Sequence, residues 1–139
     1  MNSFVFDASV VLGFLLQNKN EPAKEIALLL EQAAQRKLEI LSTSLLVFEV
    51  GNGLKYSSRD EVATRGLLEA FVDCQIKYIE FSKPQMVEIL RLSQELNTTF
   101  YDTSYHYLAL FNKTTLLTAD EKYFNKAKKL GNIKLLKFS

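Results

Sequence analysis

Apolar and polar positions along this chain follow two periods, near 2 and near 3.6 residues, and the period switches repeatedly. Phe4–Phe6 is a short apolar run with aromatic and β-branched residues, which predicts a strand. Ser9–Gln17 then follows a helical pattern, and Asn18–Asn20 reads as a turn. Pro22 stands at the start of a second helix, where its missing N–H costs least. That helix runs over Ala23–Arg36, with Ile26, Leu29, Leu30 and Ala33 as its apolar side. Leu38–Leu41 predicts a strand, and Ser42 or Thr43 a cap for a third helix reaching Tyr56. Helix, strand and helix are predicted over Ser58–Cys74, Ile76–Phe81 and Ser82–Leu96. Asn97–Thr99 is a break, followed by a helix over Thr103–Asn112 and a β-branched strand over Thr114–Thr118. A helix over Glu121–Leu130 is closed by Gly131-Asn132, and Ile133–Phe138 is a final strand.

This alternation predicts one α/β domain over residues 1–139, a three-layer α/β/α arrangement with a mostly parallel central sheet. Ligands of such sheets bind outside the carboxyl ends of the strands. The polar residues that follow strands are therefore the first place to look for chemistry. The apolar stretch Phe4–Leu16 is interrupted by Asp7 and is too short to cross a bilayer. It has no basic region before it and no clear cleavage site, so it does not read as a signal peptide.

Composition narrows the class. At 139 residues, 47% hydrophobic and 24% charged, the chain can bury one core and is not disordered, collagen-like or a coiled coil. A single cysteine, Cys74, and a single histidine, His106, exclude an internal disulfide and argue strongly against a Cys/His zinc site. This usage fits a reducing, cytoplasmic setting. Net charge is only +1, but it is polarised: residues 121–139 hold six Lys against Glu121, and the rest of the chain is net acidic.

Asp7 directly follows the first strand, Asp120 follows the Thr114–Thr118 strand by two residues, and Asp102 opens the helix after Phe100-Tyr101. Each alone reads most simply as an N-cap. Glu49 is harder to place. At about 100° per residue it projects between Leu45 and Leu46, which should face the core. A carboxylate there needs a salt bridge, a rim position reaching solvent, or a cation. Asn52 shares its face. If Asp7, Glu49, Asp102 and Asp120 converge, they repel one another, and some pKa values rise unless a cation is present. Hard oxygen ligands without His or Cys select Mg²⁺ or Mn²⁺. Such a cation can activate water and neutralise charge on a phosphodiester.

Four motifs in order resemble the PIN-domain family, and within it the VapC-like ribonuclease toxins of type II toxin–antitoxin systems. They are Asp7-Ala8-Ser9, Glu49 with Asn52 before Leu54, Tyr101-Asp102 through Leu108-Ala109, and Thr118-Ala119-Asp120 before Tyr123. The resemblance implies a metal-dependent nuclease acting on single-stranded or structured RNA. It assigns Asp7, Glu49, Asp102 and Asp120 to a catalytic metal pocket holding Mg²⁺ or Mn²⁺, with Ser9, Asn52 and Thr118 in support. It also implies a homodimer and a small antitoxin protein as partner. Thr103 and His106 depart from the family pattern, and packing is the simplest role for His106, as for Tyr105 and Tyr107.

Lys122, Lys126 and Lys129 follow i, i+4, i+7 spacing and form a candidate phosphate-binding stripe, or else a solvated face complementing the helix dipole. Three other readings compete. A haloacid dehalogenase-type phosphatase also places Asp after its first strand, but needs a second Asp where Ser9 stands. A phospho-receiver domain fits less well, lacking its acidic pair. A PIN-like module that binds RNA or protein without cutting would be favoured by a missing acid, and all four are present.

Overall fold

The computed structural model describes residues 1–17 and 19–138. The expected turn at Asn18–Asn20 thus lies partly outside the described residues; Asn20 is described, and it caps the second helix. The elements are β1 (Ser3–Phe6), α1 (Ala8–Leu16), α2 (Glu21–Ala34), β2 (Glu39–Thr43), α3 (Leu46–Lys55), α4 (Glu61–Val72), β3 (Lys77–Ile79), α5 (Lys83–Leu96), α6 (Phe100–Phe111), β4 (Thr115–Thr118), α7 (Glu121–Ala127) and β5 (Ile133–Leu135).

All strand pairings are parallel, in the order β3-β2-β1-β4-β5. The chain builds outward from β1 through β2 to β3, then returns to the other side of β1 for β4 and β5. The sheet therefore has its topological switch between β1 and β4, where a crevice opens at the strand ends. Both faces of the central strands are covered: Ile40–Thr43 and Leu116–Thr118 are buried at consecutive positions. On the helical side, α6 lies across β1, β2 and β4 with α5 packed against it, while α1 contacts α2, α3 and β4. The core between these layers is built from Val5, Phe6, Val10, Ile26, Ile40, Leu46, Leu108 and Leu116.

Local signals explain most element boundaries. Asn20 accepts the N–H of Ala23 at 3.0 Å, with Pro22 in the first turn of α2. Ser82 and Gln85 form a reciprocal capping box on α5, and Asn97 ends it in the left-handed region at φ 54°. Several boundaries depart from expectation. Ser42 and Thr43 do not cap α3; they belong to β2, and α3 starts later without a side-chain cap. The Thr43 hydroxyl instead accepts the N–H of Leu45 at 3.2 Å, a local bond that competes with a cap. The helix α6 begins three residues early, because Thr99 accepts the N–H of Asp102 at 3.0 Å and takes the cap position. The final helix stops at Ala127 and tightens into a 3-10 turn over Lys128–Leu130. The outer strands β3 and β5 are three residues each, shorter than the apolar runs that contain them, as is common at sheet edges.

The approach of α3 to α1 is set by a glycine. A Cβ on Gly53 would stand 2.3 Å from Leu12 Cδ1 and 3.1 Å from Leu12 Cγ, whereas one on Gly51 would meet nothing within 4 Å. Both glycines sit inside a helix, where each costs about 0.5–1 kcal/mol relative to Ala. Only at Gly53 does close packing outweigh that cost. We expect Gly51→Ala to stabilise by about 0.5–1 kcal/mol. Gly53→Ala should destabilise by about 1–2 kcal/mol as Leu12 is forced aside. Urea midpoints of the two variants should move in opposite directions; a Gly53→Ala midpoint at or above wild type would refute the packing argument.

Candidate functional site

The register of the sheet builds the first half of the site. Phe6 pairs with Leu117, so the next residues, Asp7 and Thr118, stand side by side at the carboxyl edge. Asp7 is buried, at 8% exposure. Its Oδ1 accepts from Ser9 Oγ at 2.6 Å and from the Val10 N–H at 3.2 Å, and its Oδ2 accepts from the Thr118 hydroxyl. The two hydroxyls also receive protons: Ser9 Oγ accepts the Ala119 N–H at 2.7 Å, and Thr118 Oγ1 accepts the Asp120 N–H at 3.1 Å. Each hydroxyl has one proton and spends it on Asp7. The 3.3 Å contact between Ser9 and Thr118 therefore carries no proton of its own. Asp7 is both the N-cap of α1 and the hub that joins β1 to β4.

The second half comes from helices. Asp120 caps α7, accepting the Tyr123 N–H at 2.9 Å. Asp102 is not a cap: it lies within the first turn of α6, and its carboxylate is left free of that duty. Glu49, in the first turn of α3, is half-buried and accepts from the Tyr105 hydroxyl. That places it at the rim rather than in the core. Leu46 is buried as expected, but Leu45 is only half-buried and lines a cleft beside Glu49. Asn52 is exposed and lines the same cleft.

The electrostatics tie the four acids together. Burial pushes the Asp7 carboxyl up to about 6, against the lowering effect of its hydrogen bonds from Ser9, Thr118 and Val10, and the Asp102 charge adds to the rise. Burial and then Asp102 raise Glu49, with the Tyr105 bond opposing. Burial and then Asp120 raise Asp102, with the Thr99 bond opposing. Among the described ion pairs none involves these four residues. Nor do three Asp, Glu, His or Cys side chains form a closed ligand group among the described residues. The acids are near enough for Asp102 to act on Asp7 and Glu49, and for Asp120 to act on Asp102.

A cleft of about 330 Å³ lies beside them, lined by Asn97, Thr99, Asp102, Asp120, Lys122 and Lys126 among others. Lys126 is anchored there, donating to the Asn97 carbonyl at 2.8 Å. Lys129 is not part of it: α7 has ended, and the 3-10 turn takes this residue off the helical stripe.

His106, Tyr105 and Tyr123 show what spacing alone did not resolve. His106 is fully buried, with Nε2 at 2.8 Å from the Gly131 carbonyl and Nδ1 at 2.8 Å from the Tyr123 hydroxyl. A carbonyl only accepts, so Nε2 carries the proton and Nδ1 receives the one from Tyr123. Burial lowers the His106 pKa, consistent with a neutral ring. This histidine ties α6 to α7 and the Gly131 turn. Tyr105 is buried apart from the hydroxyl that it sets on Glu49; its place one turn after Asp102 is the only sequence signal for that role. Tyr107 packs edge-on to Phe81 and stacks near Phe111.

A five-stranded all-parallel sheet in the order β3-β2-β1-β4-β5, covered by helices, is an α/β fold of PIN type. The chain belongs to the PIN domain family, whose model matches residues 4–130. PIN domains are generally nucleases. The crystal structure of PAE2754 from Pyrobaculum aerophilum is similar over 90% of this chain and 86% of that one, with 26% identity and a TM-score of 0.66. VapBC2 from Rickettsia felis, solved bound to a DNA fragment from their promoter, shares the fold over 97% of this chain and 98% of that one, with 17% identity and a TM-score of 0.68. No curated protein matches the chain. No helix among the described residues is long and apolar enough to cross a membrane.

Asp7 gives a pH-dependent test of this geometry in the metal-free protein. Its folded pKa of about 6 lies above the ordinary value of 3.8. The stability that the neutral carboxyl contributes is thus present below pH 4 and lost as pH rises through 6. Asp7→Asn removes the ionisation. In EDTA the variant should gain on wild type as pH rises from 4 to 7.5, by up to about 3 kcal/mol. A stability difference that stays flat across that range would refute the buried-charge account.

Proposed function

We propose that the protein is a metal-dependent endoribonuclease of the toxin type, which hydrolyses phosphodiester bonds of single-stranded or structured RNA. What supports this reading is the placement of Asp7 and Asp120 at the carboxyl edge of the sheet, with the Asp102 charge raising the pKa of Asp7 and Glu49 and the Asp120 charge raising that of Asp102. The donor set fits Mg²⁺ or Mn²⁺ in kind, being all hard oxygen. Mg²⁺ keeps several waters and needs only one or two direct carboxylates, so it does not require a closed cage of protein ligands. Asp7, Glu49, Asp102 and Asp120 would hold it. When bound, such a cation lowers the pKa of a water and offsets charge growing on the phosphodiester.

The chain's own residues supply positioning. Ser9 and Thr118 fix the Asp7 carboxylate with one proton each, so that its orientation is set before any cation arrives. Tyr105 does the same for Glu49. Asn52 offers an amide beside Glu49. Lys122 and Lys126 face the neighbouring cleft and supply phosphate contacts there, while Lys129 is outside it. The reading also includes a small antitoxin protein as partner and a homodimer as assembly. The fold shared with VapBC2 supports the former; the exposed Met86, Val87 and Leu90 on one side of α5 are consistent with the latter.

The test is cleavage of labelled single-stranded RNA in Mg²⁺, Mn²⁺ or EDTA. Wild type should cleave with either metal and not in EDTA. Asp102→Asn should lose roughly 100-fold or more, and Ser9→Ala about 10-fold, the size expected for an orienting partner. Equal cleavage by wild type and Asp102→Asn would sink the site assignment, and cleavage in EDTA would sink the metal dependence. Loss of both cleavage and Mn²⁺ binding in wild type would favour a module that binds without cutting.

Lys122→Ala and Lys126→Ala should weaken RNA binding without regard to sequence. Each should reduce the salt slope of log K by about 0.7. An unchanged slope would place the phosphates elsewhere.

A further inference from the structure

Two large side chains at this site have no structural reason to be where they are. Phe48 is 77% exposed and Tyr101 is 54% exposed. Among the described residues, neither ring is paired with another aromatic ring. Both line one open cleft of about 280 Å³, together with Leu45, Glu49 and Asn52. Each is the immediate chain neighbour of an acid of the site: Phe48 precedes Glu49, and Tyr101 precedes Asp102. This cleft is not the lysine-bearing one, which takes its lining from Asn97–Thr99, α7 and Asp102. The acids thus have a cationic cleft bordering Asp102 and Asp120, and an aromatic cleft bordering Glu49.

Those two linings suit the two halves of a nucleotide. Lysines recognise phosphate, while exposed aromatic faces recognise a flat ring that has lost its stacking partners. A base within a duplex has no free face to offer, but an unpaired one does. Asn52, the polar lining residue beside Glu49, carries a donor and an acceptor suited to a base edge. We propose that Phe48 and Tyr101 form a base-stacking subsite that receives an unpaired nucleobase next to the scissile phosphate. Such a cleft would give the protein a preference for substrate that is unpaired at this position over duplex. The inference rests on the nuclease reading and adds the side chains that choose the substrate's form.

The experiment measures binding to a fluorescent single-stranded RNA in EDTA, where no cleavage intervenes, and cleavage in Mn²⁺. Variants are Phe48→Ala, Tyr101→Ala and Phe48→Trp, with thermal midpoints to confirm folding. Both positions are exposed, so the fold should tolerate them. Each Ala variant should raise Kd about 10-fold, the size of one lost base–aromatic contact. The salt slope should stay unchanged, because no phosphate contact is removed. Phe48→Trp should restore binding. An oligonucleotide with abasic sites should bind wild type and Phe48→Ala alike.

Wild-type affinity retained by both Ala variants would overturn the subsite while leaving the nuclease reading intact. No RNA binding and no cleavage by wild type would overturn both. If Phe48→Ala instead leaves RNA binding untouched and dissociates a dimer in sedimentation, the patch is a protein interface and the proposal fails.

Discussion

A carboxylate buried at the end of the central strand governs the architecture of this protein. Asp7 carries its charge at a position where water is almost excluded, and burial alone would drive it neutral. Three hydrogen bonds oppose that, and two of them come from hydroxyls on either side of the β1–β4 junction. Those hydroxyls can reach it only because the parallel register sets Thr118 level with Asp7. A shift of one residue would turn Thr118 to the other face of the sheet. Sheet register and the state of the carboxylate are therefore one constraint, and the acid is as much a structural hub as a candidate ligand.

The remaining acids depend on that hub to different degrees. Asp120 is reached through the same network, since its N–H rests on the Thr118 hydroxyl that holds Asp7. Asp102 depends on α6, whose N-terminus is fixed by Thr99 and whose far side is fixed by His106 bridging to Tyr123 and Gly131. Glu49 depends on the depth at which α3 sits, which Gly53 permits by letting that helix close on Leu12. Each carboxylate is thus positioned by contacts that a mutation could disturb without touching the acid itself.

Much of this was legible in the sequence, for a physical reason. Apolar periodicity and N-cap chemistry are local, and they reported the alternation of strand and helix that forces a parallel sheet. Once the sheet is parallel, acids following β1 and β4 must emerge at one edge. Contributions from a distance were not legible. That Thr99 rather than Asp102 caps α6 depends on the helix starting three residues earlier, so that the Thr99 hydroxyl accepts the Asp102 N–H. That His106 is a neutral bridge depends on Gly131, 25 residues away. Lys129 lies in the 3-10 turn that follows α7 and does not line the cleft with Lys122 and Lys126, because the helical spacing read from the sequence does not register where the backbone tightens. Phe48 and Tyr101 were overlooked for a different reason. A hydrophobic residue in a helix is read as core by default, and only the structure shows that these two face outward.

That last point bears on how the site is balanced. A cluster of like charges costs stability when nothing lies among them, and an exposed phenylalanine adds a further cost in solubility. Neither is needed to fold the sheet, because the core closes without either. The two costs also fall on the same segments, with each exposed ring one residue from an acid. A substrate that brought phosphate to the lysines and a flat base to the aromatics would relieve both at once, and a divalent cation would relieve the charge before it arrived. On the proposed reading, the stability forgone by gathering acids and exposed rings would return as selectivity for an anion accompanied by a cation and for a strand whose bases are unpaired.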